Sequence, residues 1–268
     1  MAHDLAVCYR ICPKPPKPNV LGLTDKLDVV ASGLSSFKRS IGPLRVKLWI
    51  ILDDCPPEYL KLVKRRLYNV DHDIISGQWR SINGTLLKQI EVLTTQTDAP
   101  FCYFAEDDYL FKPGGMAAAH RFMRLHPFVD AISLAYHSDY NRRWVDRINE
   151  REYEFEGIVW KRQVASTSSF MIRRDSLIES APTIRTFVDG NSDLGFWMAL
   201  TKLRVFNPWV LVRGWGDGRF IPGSMALAWW HCRDQILNGR KLLLFAPQPS
   251  LATHMEAGSS ALGFRYEE

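Results

Sequence analysis

The chain has 268 residues, 46% of them hydrophobic and 24% charged, enough apolar sequence for a substantial core, with no low-complexity tract to suggest a disordered tail or fibre. Its formal charge of +5 is modest and spread along the chain, which argues against a dedicated nucleic-acid binder. The five cysteines are scattered and lack zinc-type spacing or disulfide-scaffold density, so the thiols are expected to be reduced and packed.

The sequence shows no signal-peptide pattern and no apolar run near the ~20 residues that span a bilayer. A cytoplasmic protein is the expectation, with peripheral membrane contact still compatible.

In chain order, Leu5 to Ile11 reads as a first strand, ended by the proline-lysine loop Pro13 to Pro18. Thr24 to Phe37 suits a helix, and Val46 to Leu52 a strand apolar on both faces that runs into Asp53-Asp54. Pro56-Pro57 opens a helix with Tyr59, Leu60, Leu62, Val63 and Leu67 inward and Lys61, Lys64, Arg65 and Arg66 outward. After the short run Asp73 to Ser76, Gly84 to Thr95 places Leu86, Leu87, Ile90 and Leu93 on one helical face, with Asn83 as cap. Phe101 to Ala105 is a buried strand leading directly into Glu106-Asp107-Asp108.

Pro113-Gly114-Gly115 then turns into a helix through Leu125, and Ala131 to Ala135 makes a strand. The second half is less regular. Tyr153 to Val164 reads as a β-rich excursion and Ser168 to Arg173 as a return strand, while Asp193 to Leu203 forms a helix behind the capping run Asp189-Gly190-Asn191-Ser192. One helix is expected from Ser224 to Leu237, closed by Asn238-Gly239, then a strand from Lys241 to Phe245 and a tail bearing Thr253-His254-Met255-Glu256. Alternating strands and helices predict one α/β domain with a mostly parallel central sheet.

Chemistry concentrates at the acidic triplet. Three successive carboxylates repel one another unless a cation relieves them, and the carboxyl end of a central strand is where open α/β sheets bind ligands. A hard divalent ion there would stabilise a diphosphate leaving group. Asp193 at a helix N-terminus has its ionised form favoured, as a general base needs, with Asp189 the nearest substitute. Arg80 offers a planar fork suited to phosphate oxygens. Trp160, Trp209, Trp215, Trp229 and Trp230 are candidate stacking surfaces for a sugar, whereas His126 and His231 read as structural.

The run FAEDDYLF, after two strand-helix units and a further helix, resembles the DxD segment of GT-A glycosyltransferases, most similar to family 2. The resemblance implies a Rossmann-like sheet with a mixed acceptor-side half: residues 1–112 would bind a UDP- or GDP-sugar and 113–268 a glycan, protein or lipid-linked acceptor.

By the same resemblance Asp53 and Asp54 would bind the nucleoside; Arg10, Arg80 and Asp107 are the further donor-binding candidates. Asp108, Glu106 and His254 would hold Mn²⁺ or Mg²⁺, and Asp193 would be the base of an inverting reaction. The triplet departs from a strict DxD, leaving open which two carboxylates meet the metal. A nucleotidyltransferase acting on a sugar phosphate and a non-catalytic nucleotide- or glycan-binding module are the alternatives. No GxxxxGK[ST] loop occurs, which disfavours P-loop chemistry.

Overall fold

In the computed structural model, residues 2–136, 152–209, 212, 220–258, 261 and 263–264 are described. Strands β1 (Leu5–Ile11), β2 (Val46–Asp53), β3 (Asp71–Gly77) and β4 (Phe101–Glu106) alternate with helices α1 (Lys26–Ile41), α2 (Pro57–Arg66) and α3 (Ile82–Thr95). There follow β5 (Tyr109–Phe111), α4 (Gly115–Leu125), β6 (Ala131–Ile132), β7 (Tyr153–Phe155), β8 (Ile158–Arg162) and β9 (Phe170–Arg173). The chain closes with α5 (Arg174–Arg185), α6 (Asp193–Thr201), α7 (Phe220–His231), α8 (Arg233–Leu237), β10 (Leu244–Gln248) and β11 (Ala252–His254).

One sheet runs in the order β3-β2-β1-β4-β9-β6-β10-β8-β7. β8 and β9 are antiparallel to the strands beside them, and the other seven point one way. The sheet is therefore mostly parallel, with a purely parallel first half and a mixed second half. β1 is buried along almost its whole length, as a central parallel strand covered on both faces must be.

Alternation along β1 sends Leu5, Val7 and Tyr9 into one core with Val30, Leu34 and Phe37 of α1 and Leu62 and Val63 of α2. Ala6 and Cys8 enter the opposite core with Leu86 and Ile90 of α3 and Phe196 and Trp197 of α6. The helices thus form two layers around the sheet, and the side chains of Arg10, Asp53 and Glu106 alternate onto the α3 face of its carboxyl edge.

Several local expectations need correction. Ser81, not Asn83, caps α3, its side chain accepting from the Gly84 N–H; Asn83 instead donates to the Val188 carbonyl at 3.4 Å. The helix expected over residues 224–237 is two, α7 and α8, separated at Cys232, whose φ of −125° and ψ of 25° leave helical geometry. The strand after Ile132 stops early, and β10 begins at Leu244 rather than Lys241.

Two three-residue strands, β5 and β11, were not expected. They pair antiparallel as a separate ribbon with His254 opposite Tyr109.

Candidate active site at the carboxyl edge of the sheet

The parallel register sets Arg10 opposite Glu106. Their side chains form an ion pair at 2.8 Å, with Arg10 also donating to the Thr85 hydroxyl of α3 at 3.4 Å. Gln89 of α3 donates to the carbonyls of Cys8 and Ala105, fixing the ends of β1 and β4 together. Burial pushes the Glu106 carboxyl up to about 7 against the pull of Arg10, and Asp108 adds to the rise.

Asp107 turns to the α1 side. Its Oδ1 accepts from Lys26 Nζ at 2.7 Å and its Oδ2 from the Cys12 N–H at 2.9 Å. Burial raises this carboxyl above its ordinary range, while Lys26 limits the rise. With both oxygens engaged inside the protein, Asp107 clamps the start of the proline-lysine loop to the start of α1.

Asp108 differs from its two neighbours. Its Oδ2 meets His254 Nε2 at 3.2 Å, and its Oδ1 is buried with no hydrogen-bond partner among the described residues. Burial favours protonation of Asp108, but the hydrogen bond and charge of His254, with Lys26 and Arg10, hold it below the usual carboxylate range. For His254 burial opposes charge, yet Asp108, Glu106 and Glu256 carry the imidazole above its ordinary value.

The β5–β11 ribbon explains how a residue from the tail reaches this point. Met255 N–H donates to the Asp108 carbonyl at 2.7 Å, immediately beyond the His254–Tyr109 pair. Nδ1 of His254 accepts the Glu256 N–H at 3.0 Å, which assigns the ring proton of the neutral imidazole to Nε2, toward Asp108.

These groups converge on a cleft of about 260 Å³. Its walls are the proline-lysine loop from Cys12 to Asn19, the first turns of α1 and the tail, with Arg10, Asp107 and Asp108 at its base. The loop is pinned at its far end by Val20 N–H to Met255 O and Ala257 N–H to Pro18 O, both 2.8 Å, and by the Lys17–Glu256 ion pair at 2.9 Å. Lys14 lines the cleft, and its ammonium has no partner among the described residues.

A second group lies at the end of β2. Asp53 is buried, and its Oδ1 accepts the Arg80 N–H at 2.8 Å. Arg80 Nε donates to Asp54 Oδ2 at 3.1 Å. Asp54 and Arg80 both have left-handed backbones, φ 54° and 52°, a local cost of the kind found at functional sites. Since Ile11 pairs with Leu52, this bracket stands one strand spacing, about 4.8 Å, from Cys12 at the cleft.

Asp193 is not brought to the cleft. It starts α6, where its Oδ1 accepts the Leu194 N–H at 2.7 Å. Trp197 meets Phe170 opposite Phe104, while Thr201 reaches the Val164 carbonyl near the start of β10. The helix therefore runs away from the carboxyl edge, and Asp193 lies toward that edge on the α3 face, the face that carries Arg10 and Glu106.

Among the tryptophans, Trp160 is fully buried and stacked on Phe122 at 4.2 Å, and Trp229 donates to the Val205 carbonyl. Trp209 and Trp230 are exposed. Trp215 lies outside the described residues. His126 Nδ1 contacts the Phe122 carbonyl at 2.9 Å, a local role.

The cation site was expected from Asp108, Glu106 and His254. Among the described residues no cluster of three metal-ligating side chains occurs, because Glu106 is turned to Arg10. Asp108 and His254 fit a divalent cation as a two-residue set facing the cleft: one buried carboxylate oxygen has no partner among the described residues, and His254 Nε2 stands beside it, able to ligate once its proton moves to Nδ1, where Glu256 Oε2 lies at 3.9 Å. No helix of the described residues is long and apolar enough to cross a membrane.

No protein-family model matches the chain, and no curated protein sequence does. Its backbone is similar to that of the mannosyltransferase PcManGT from Pyrobaculum calidifontis in complex with GDP-Man and Mn²⁺, at 12% identity and a TM-score of 0.47, over 88% of this chain and 73% of that one. It is also similar to S. aureus TarS 1–349, at 11% identity and 0.44, over 67% of this chain and 49% of that one, so the chain spans about half the length of that structure. A CMP:2-keto-3-deoxy-manno-octonic acid synthetase complexed with CTP matches at 12% and 0.41, over 77% and 86%. Values this low carry no functional argument, and the assignment of a function rests on the cleft itself.

Proposed function

We propose that the chain is a glycosyltransferase that binds a nucleotide sugar across the carboxyl edge of the sheet, with the nucleoside at the Asp53–Asp54–Arg80 bracket and the diphosphate in the cleft. The observation that carries this reading is the partnerless buried Oδ1 of Asp108 beside His254, in a cleft walled by a lysine-bearing loop. From β2 across β1 to the end of β4 is two strand spacings, roughly 10 Å, a span suited to a nucleoside diphosphate.

Asp108 and His254 would hold Mn²⁺ or Mg²⁺. Such an ion supplies Lewis acidity to a departing diphosphate. Lys14 contributes an ammonium, unpaired among the described residues, that can follow the phosphates, while Arg10 and Lys26 keep Glu106 and Asp107 from adding net repulsion. Asp107 positions the loop rather than touching the donor. Asp193, on the α3 side of the same edge, is the proposed base for an acceptor hydroxyl arriving from that face, the arrangement of an inverting transfer.

A second reading is favoured by the lysine-bearing β1–α1 loop forming a cleft wall: a nucleotidyltransferase would use such a loop on a nucleoside triphosphate. Product analysis separates the two. Incubation with Mn²⁺ and UDP- or GDP-sugars is expected to release nucleoside diphosphate, abolished in Asp108→Ala and in Asp193→Asn, with nucleotide binding kept in the latter. Pyrophosphate release from a nucleoside triphosphate and a sugar phosphate, without donor turnover, would assign the second reading. Binding without turnover of either kind would leave a binding module.

A further inference from the structure

β3 ends at Gly77, which pairs with Asp53, and only three residues separate it from Ser81, the cap of α3. Trp79 lies within that short connection. A Cβ added to Gly77 would stand 2.5, 2.6 and 2.9 Å from three carbons of the Trp79 ring. A Cβ on Gly84 would stand 3.0 Å from Trp79 Cβ and 3.2 Å from its Cδ1. The indole therefore occupies a slot between the end of β3 and the first turn of α3 that two glycines leave open. It is half-buried and packs at the margin of the core on the α3 face.

The next residue is Arg80, whose left-handed backbone, φ 52°, directs its N–H to Asp53 and its guanidinium to Asp54. Asp54 is left-handed too, and its N–H donates to the carbonyl of Gly77 at 2.7 Å, the same residue that receives the indole. Side chains other than glycine hold this conformation only where their surroundings dictate it. Here the surroundings are a strand end, a capped helix start and the wedge between them.

We propose that Trp79 is a positioning residue: wedged against Gly77 and Gly84, it holds Arg80 and Asp54 in their left-handed conformation and keeps the Asp53–Asp54–Arg80 bracket preformed for the nucleoside end of the ligand. The inference rests on the nucleotide-binding reading of the cleft and adds a separation of function. Trp79 acts on the nucleoside end alone, since Asp108, His254 and Lys14 are held by other elements. Preorganisation of this kind shows in affinity because an unformed bracket must be ordered at the moment of binding.

The test is calorimetric titration in Mn²⁺ with UDP, GDP and inorganic pyrophosphate, on wild type, Trp79→Ala, Gly77→Ala and the double variant. Trp79→Ala and Gly77→Ala, the latter expelling the ring, are each expected to weaken the bound nucleoside diphosphate about tenfold, as loss of one or two aligned hydrogen bonds would. Pyrophosphate affinity should stay within about twofold, and the double variant should be no weaker than Trp79→Ala, because the added methyl then meets no indole.

Wild-type affinity for the nucleotide in Trp79→Ala, or a parallel loss of pyrophosphate binding, would overturn the proposal. Should Trp79→Ala not fold, Gly77→Ala decides alone on the same two readouts. Absence of binding by wild type to all three ligands would overturn the cleft reading, and this one with it.

Discussion

His254 and Asp108 stabilise each other's charged forms, so their contribution to folding has a defined pH window in the absence of divalent ions. The imidazole is held above its ordinary value of 6.5, so its share is full below that pH and is lost as pH rises through the raised value. The carboxyl is held below its ordinary 3.8, so its share is present above that pH and is lost as pH falls through the lowered value. His254→Ala should therefore destabilise most between about pH 4 and 6.5 and least in alkali. Urea denaturation in EDTA across that range reads this directly, and a pH-independent difference would contradict the pairing.

Asp107 makes a different residue-level prediction. Asp107→Asn leaves Lys26, nearly buried, without its counter-charge and should cost on the order of 3 kcal/mol. Lys26→Met in the same background should recover part of that loss, measured by the same titration.

At the scale of elements, the long pieces were legible in the sequence because their patterns are local. β1, β2 and β4 read as apolar runs broken only by Arg10 and Lys47 before the acidic ends of β2 and β4, and α2 as a basic face opposite a leucine-valine face. The acidic triplet stood out for the same reason, as charge placed abruptly after a buried strand. What brings His254 to Asp108 was not legible. β5 and β11 have three residues each and are joined only by long-range pairing, so neither has a periodicity to read. The different fates of the three carboxylates were equally hidden, since Arg10, Lys26 and His254 reach them from three distant segments.

The break at Cys232 was missed because helical spacing continues through it, while Asn191 and Thr186, which contact the Cys232 thiol, lie some forty residues earlier. The crossing of α6 and α7 offers a test of element packing. A Cβ on Gly195 would collide with Asn191 Oδ1 and stand 3.0 Å from the Ser224 carbonyl. Asn191 cannot easily yield, because its amide is fixed on Thr186 and Cys232. Gly195→Ala should cost about 1–3 kcal/mol, seen as a lowered melting temperature with Mn²⁺-dependent nucleotide affinity unchanged; unaltered stability would contradict the close crossing.

Across the whole molecule, one sheet joins the parallel half to the mixed half through β4 and β9, paired over Phe101–Phe104 and Phe170–Arg173. Two cores, one on each face, run beneath both halves. Such continuity predicts a single cooperative unfolding transition, coincident by tryptophan fluorescence and far-ultraviolet circular dichroism; two separated transitions would divide the chain into independent domains.

The same continuity places the Asp53–Asp54–Arg80 bracket, the cleft and Asp193 along one carboxyl edge, the location at which open α/β sheets bind ligands. On the proposed reading, this edge takes a nucleoside diphosphate through a cation held by Asp108. Calorimetric titration of UDP and GDP into wild type and Asp108→Ala, with and without Mn²⁺, tests it most directly. Binding of one nucleotide that requires the metal and disappears in the variant is the predicted result; binding that is indifferent to both metal and substitution, or no binding at all, would contradict it.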